Sequence, residues 1–172
     1  MNIKLIYRIF SFFLLIIAFI LGLGVMLTFF VALTNPALLL NVFVAAAVVM
    51  YSISSFLFLT KGIDGKQQLK PGMKDFIRAN AFVTVFFGMM NIFQSITVIT
   101  NPSVLNEAIK QLPQIPNAQQ LPAGMILKVM KAAMWFLLFY AIVLLIHIQI
   151  TFYLLKKHAH LFGSKSNENS SF

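Results

Sequence analysis

The run Ile9–Leu33, IFSFFLLIIAFILGLGVMLTFFVAL, decides how the whole chain has to be read, because it carries no charge from end to end. A helix rises 1.5 Å per residue and the hydrocarbon of a bilayer is about 30 Å thick, so about 20 such residues cross it. This run crosses with some tilt to spare. Lys4 and Arg8 stand before it, which is also how a cleavable secretion signal begins. The apolar part of such a signal is only about 7–15 residues long, and no small-residue cleavage site follows here. We read the run as a retained first span.

Working outward, Thr34-Asn35-Pro36 supplies a tight turn. Asn is a good helix N-cap, and Pro suits the first helical position, where its missing N–H would be unpaired anyway. A second span follows over 36–59, and so short a connection makes the pair an antiparallel hairpin. The stretch from Lys61 to Asp75, KGIDGKQQLKPGMKD, mixes Gly and Pro with charge and is expected to be a solvated loop. A third span covers 76–99. A second Thr-Asn-Pro, at positions 100–102, opens an outer loop over 100–131. Within it, Val104, Leu105, Ala108, Ile109 and Leu112 share one face of a short helix over 102–112, suited to lying on a bilayer surface. The proline-rich stretch 113–124 is expected to be extended. The fourth span is 132–155, so the transmembrane domain occupies 1–157. Residues 158–172 are expected to form a disordered cytoplasmic tail.

Composition agrees with spans in lipid. The 172 residues are 60% hydrophobic and 10% charged, with a mean hydropathy of +0.90. A soluble domain carries about 25% charged residues, so the polar side chains here could not cover a water-facing surface. The expected fold class is therefore all-α, a polytopic membrane protein with a four-transmembrane-helix bundle made of two hairpins. The formal charge of +9 does not point to nucleic acid, because the basic residues sit at the ends of apolar runs and not on one soluble face. Ten of the thirteen flank the first end, the 61–78 stretch and the C-terminal end; Lys110, Lys128 and Lys131 fall on the other side. Such an excess marks the cytoplasmic side, which places both termini inside and makes the lipid bilayer the first partner. Tyr7, Trp135 and Tyr153 fall where an aromatic belt would sit. Small size and short loops fit a bacterial cytoplasmic membrane.

With no cysteine, disulfide frameworks and thiolate chemistry are excluded, and with them the four-helix families that depend on cysteine. Shifting the chain by 66 residues aligns Lys4 with Lys70, Phe10 with Phe76, Gly22 with Gly88 and the two Thr-Asn-Pro triplets, which suggests an internal duplication.

Polar residues inside the spans mark inward faces, since lipid offers them no partner. On the third span Asn80, Thr84, Gly88, Asn91, Gln94 and Ser95 share an arc of roughly 120° at about 100° per residue. Narrower stripes are Asn41, Ala45, Val48, Ser52 and Ser55 on the second span, Ser11, Ala18 and Gly22 on the first, and Tyr140, Leu144, His147 and Thr151 on the fourth. The candidate intramembrane site is thus Asn41, Ser52, Asn80, Thr84, Asn91, Gln94, Ser95, His147 and Thr151. His147 is the ionisable residue deepest in a span; it either relays protons or is a neutral imidazole bonded to Asn91, Gln94 or Ser52. His158 and His160 lack companions for a metal site, and the nine methionines are dispersed.

No catalytic, cofactor or metal residue is expected. Ser, His and Asn are present, but no spacing sets a nucleophile beside a base. The first functional expectation is a non-enzymatic accessory or scaffolding subunit that packs through polar and small helix faces against a membrane-protein partner or its own copies. The alternative is a small oligomeric transporter or channel using the third-span stripe and His147. Four-helix multidrug exporters are a poor match, because the first span has no Glu.

Overall fold

The computed structural model describes residues 3–101, 103, 104, 107 and 123–163. They form four long helices: α1 (Ile3–Ala32), α2 (Pro36–Leu57), α3 (Pro71–Thr100) and α4 (Ala123–Lys157). A π-helical segment, Phe58–Asp64, continues α2 without a break, and a 3₁₀ turn, Ala159–Leu161, follows α4. All four are long and apolar enough to cross a membrane, and the fold is all-α, as the sequence predicts.

Three of the four helices, α1, α3 and α4, outrun the apolar stretches that announce them. Thirty residues make about 45 Å of helix, against about 30 Å of hydrocarbon. The overhanging turns carry the charges: Lys4 and Arg8 on α1, Lys74, Asp75 and Arg78 on α3, Lys156 and Lys157 on α4. Hydrophobicity marks a span, but a helix stops only at a breaker. Pro71 therefore begins α3 where a loop was expected, because Pro suits the first helical position. Likewise α4 starts at Ala123, well before 132.

The turn between α1 and α2 is as tight as expected. The Thr34 and Asn35 N–H groups donate to the Val31 and Ala32 carbonyls at 3.2 and 3.1 Å, and Leu38 N–H donates to the Asn35 carbonyl at 3.0 Å. At its far end α2 does not stop at residue 59. Gly65 N–H reaches the Thr60 carbonyl at 2.9 Å, five residues back, so the loop shrinks to 65–70. Lys66, at φ 50°, turns the chain through the left-handed region.

The tail also departs from expectation over 158–163. Leu69 N–H donates to the Leu161 carbonyl at 2.7 Å, and Gly163 N–H donates to Leu69 at 3.4 Å. The Phe162 ring stacks on Phe58 at 5.6 Å. A Cβ on buried Gly62 would lie 2.9 Å from Leu69 Cδ1, so glycine lets this clasp close. Apolar Leu161 and Phe162, within a basic stretch, find a buried place there. Residues 164–172 lie outside the described residues, as do the expected surface helix and the extended stretch, apart from helical Ser103, Val104 and Glu107 and the start of α4.

Two compact units divide the chain. The first, Met1–Phe87 with Leu144–Phe172, contains α1, α2, the first half of α3 and the last part of α4. Its core is Tyr7, Leu14 and Ala18 from α1, Ala47, Val48 and Tyr51 from α2, Ile77 and Ala81 from α3, and Leu144, Ile148 and Leu155 from α4. The second, Gly88–Val143, buries Ser95, Val98, Tyr140 and Ala141. Outward faces are apolar, with Leu27, Phe30, Phe82 and Phe93 among the most exposed side chains. Trp135 and Tyr153 face outward, but Tyr7 does not belong to a belt: it is fully buried. The 66-residue shift carries buried Ser11, Leu14 and Ala18 onto equally buried Ile77, Asn80 and Thr84. Any two helices that bury one face share that spacing, so burial phase does not select for common ancestry.

Candidate functional site

In the first unit three helices converge on one imidazole. Tyr7 and Ser11 lie one turn apart on α1, Tyr51 and Ser55 one turn apart on α2, and His147 and Thr151 one turn apart on α4. Four residues apart on a helix is the same face, so each helix offers a stacked pair of polar groups to the same interior. His147 Nε2 lies 2.9 Å from Ser11 Oγ, and Nδ1 lies 2.9 Å from the Tyr51 hydroxyl. The Tyr51 hydroxyl is also 2.9 Å from Thr151 Oγ1. The Tyr7 ring stacks on the imidazole, with centroids 4.7 Å apart and planes 6° from parallel, and its hydroxyl donates to the Ser55 carbonyl at 3.3 Å. Ser11, Tyr51, His147 and Thr151 are at most 1% exposed.

One assignment of protons fits the shorter bonds of this network, with the 3.4 Å contact from Thr151 Oγ1 to the Tyr7 hydroxyl as a longer alternative for the Thr151 proton. Thr151 has a single hydroxyl proton and donates it to the His147 carbonyl of its own helix, at 2.8 Å. It must then accept from Tyr51. Having spent its proton there, Tyr51 accepts from Nδ1–H of His147. Nε2 is left with its lone pair, to which Ser11 donates. A neutral imidazole thus has both nitrogens paired.

Contrary to the sequence expectation, a nucleophile does stand beside a base. Ser11 Oγ against His147 Nε2, with a hydroxyl orienting Nδ1, is the spatial relation of a serine hydrolase dyad, assembled from residues 136 positions apart. Catalysis also needs room for a reacting carbonyl and donors for its developing oxyanion. Ser11 is sealed among helices, where backbone N–H groups are committed to the helical ladder. As it stands, the cluster is a closed hydrogen-bond circuit.

Only His147 and Thr151 of the nine sequence-derived candidates belong to that circuit. Ser52 is buried but donates to the Val48 carbonyl of its own helix at 2.9 Å. Asn80 and Thr84 likewise turn back, to the Phe76 carbonyl at 2.9 Å and the Asn80 carbonyl at 2.7 Å. Asn91, Gln94 and Ser95 lie in the second unit, where Ser95 is buried, Asn91 half-buried and Gln94 exposed. Asn41 is exposed. The partners of His147 are therefore Ser11 and Tyr51 and not Asn91, Gln94 or Ser52. Missed altogether were Tyr7 and Tyr51. A tyrosine within a span needs a partner for its hydroxyl, and Tyr51 shares the arc of Val48, Ser52 and Ser55; that was the available signal.

Two other features surround this core. Asn41 lines a shallow apolar groove of about 440 Å³ between α1 and α2, beside Leu21, Gly24 and Thr28, and a second groove of about 580 Å³ is lined by Val25, Phe29, Leu39 and Phe43. At the other end of the hairpin, Arg8 pairs with Asp64 at 2.9 Å. Among the described residues no three His, Asp or Glu side chains come together as a metal site would require. No family model, no curated protein and no solved structure matches the chain, so its chemistry has to be read from these residues.

Proposed function

We propose that the chain is a multi-pass protein of a bacterial cytoplasmic membrane, with both termini in the cytoplasm, that acts as a non-enzymatic accessory or scaffolding subunit through lateral helix packing. The observation that carries this reading is the closure of the His147 circuit. Its polar groups satisfy one another, and buried Ser52, Asn80 and Thr84 of the same unit each turn back to their own helix. Two amides outside the circuit are exposed, that of Asn41 on its apolar groove and, in the second unit, that of Gln94, neither with a side-chain hydrogen bond among the described residues. An amide at the edge of hydrocarbon gains from a neighbouring helix that can pair with it. A membrane-protein partner or a second copy of this chain supplies such a helix.

The test is purification in mild detergent followed by native mass spectrometry. A stoichiometric complex that dissociates in Asn41→Leu or Gln94→Leu, with helix content unchanged, supports the proposal. A lone monomer in mild detergent and in bilayers sinks it. The transporter alternative predicts solute flux in proteoliposomes that falls in His147→Ala. Topology is read separately from a reporter fused after Phe172, which must report from the cytoplasm.

A further inference from the structure

We propose that the lysine-rich end of the first unit is a platform for anionic phospholipid headgroups, assembled by the clasp between the 65–70 loop and the 158–163 segment. This rests on the membrane reading above. The start of α1, the end of the π segment, the start of α3 and the end of α4 are held at this end. The Arg8–Asp64 pair at 2.9 Å joins the first two, and the Leu69–Leu161 hydrogen bond at 2.7 Å joins the loop to the chain beyond α4. Phe162 against Phe58 fixes that junction from beneath.

The consequence is electrostatic. Lys61, Lys66, Lys70, Lys156 and Lys157 are all exposed on the segments that the clasp joins, and none has an ion-pair partner among the described residues. Among the described residues, the carboxylates at this end are Asp64, already engaged by Arg8, and Asp75. A loop pinned to the chain behind α4 gathers like charges that a free loop and a free tail would keep apart. Lys66 is held in the left-handed region as part of that arrangement. Gathering unpaired cations costs free energy through repulsion, and an external anion offsets it. The anion that fits is a phosphodiester at headgroup depth, because these lysines crown the ends of apolar helices, where the interface of a bilayer lies.

The distribution of lysines along the sequence accounts for topology alone. The clasp adds a distinct expectation: opening it weakens the lipid preference with no change of charge. The experiment reconstitutes the full chain into nanodiscs of phosphatidylcholine, with or without phosphatidylglycerol, and records thermal unfolding. Flotation confirms incorporation first; a chain that stays soluble and outside the discs overturns the membrane reading itself. For the incorporated protein, phosphatidylglycerol should raise Tm by about 4 °C or more. Replacing Lys66, Lys70, Lys156 and Lys157 by Gln should abolish that rise, and Phe162→Ala should at least halve it. Lys128→Gln with Lys131→Gln should keep it. If Phe162→Ala does not fold, Leu69→Ala loosens the clasp from the loop side, where the Leu69 side chain packs beside Gly62. Equal Tm in both discs, an undiminished rise in the quadruple variant, or an undiminished rise after the clasp is opened would each overturn the proposal. So would an equal rise from inorganic phosphate added to phosphatidylcholine discs, which would assign the cations to free phosphate.

Discussion

Replacing His147 separates the two things the imidazole does, pairing and filling space. In His147→Ala the hydrogen bonds to Ser11 and Tyr51 vanish, the Tyr7 ring loses its stacked partner, and a fully buried side chain leaves a void. Interhelical hydrogen bonds in a bilayer contribute about 0.6 kcal/mol each, and an aromatic stack about 0.5–1.5 kcal/mol. A large-to-small change in a packed core costs about 2–5 kcal/mol; the low end applies in lipid, where the transfer term is weak. The expected loss is about 4 kcal/mol. His147→Phe retains the ring and most of the volume, so it forfeits only the two hydrogen bonds. The Ser11 hydroxyl then has a carbonyl one turn back on its own helix available. Its expected loss is about 1–2 kcal/mol. Reversible unfolding in bicelles by added dodecyl sulfate measures both, and a double-mutant cycle with Ser11→Ala isolates one bond. A loss below about 1 kcal/mol for His147→Ala would refute the reasoning, as would a Phe variant no more stable than the Ala variant.

Tyr140 buries its hydroxyl with no hydrogen-bond partner among the described residues, so Tyr140→Phe should be neutral or stabilising by up to about 1 kcal/mol in the same unfolding assay. A clear destabilisation would mean that the hydroxyl is engaged. Arg8→Ala breaks an ion pair whose side chains are 52% and 37% exposed, so it should cost about 0–1 kcal/mol, with the difference fading at high salt. Gly62→Val puts atoms where Leu69 and Phe58 already lie, at 2.9 and 3.2 Å from the new Cβ position. Hydrogen exchange at the Leu69 amide should then accelerate by an order of magnitude or more, while exchange within α1 stays unchanged.

What the sequence made legible follows from the length scale of each signal. Four apolar runs of about 20 residues or more survive any detail of packing, and the bilayer thickness converts them directly into spans. Helix ends did not follow from those runs. Lys74, Asp75 and Arg78 interrupt hydrophobicity without interrupting a helix, and Pro71, inside the expected loop, starts one. The clasp was illegible for another reason. It depends on a single hydrogen-bonded register between Leu69 and residues 161–163, and nothing local in a His- and Lys-rich segment announces a distant partner.

An arc of polar residues such as that on α3 does not by itself measure cross-helix bonding. Asn80 and Thr84 are indeed buried, but each returns its hydrogen bond to its own backbone, an option open to short polar side chains on any helix. The Tyr7 and Tyr51 hydroxyls have no such option: they stand too far from their own backbone ladder, so burial forces them onto a neighbouring helix or loses a hydrogen bond. The His147 imidazole commits both ring nitrogens to neighbouring helices. A single imidazole and two phenols are therefore more informative about helix neighbours than a whole stripe of Asn, Thr and Ser.

That distinction also bears on why a polar circuit sits in so apolar a chain. Surfaces of Leu, Ile, Val and Phe grip one another at many registers with similar energy, and in lipid no hydrophobic term selects among them. The circuit closes at this register: sliding α4 by a turn against α1 and α2 would carry His147 past both Ser11 and Tyr51 and strand the imidazole and the phenol. Its net stabilisation is modest, but the cost of every wrong register is the desolvation of several polar atoms together. A chain held in this way keeps the outward faces of the first unit in fixed relation, including the Asn41 groove between α1 and α2. Lateral recognition requires such a fixed face. A transport path would instead require the same polar groups to exchange partners with a passing solute, and each rearrangement would break bonds that here complete one another.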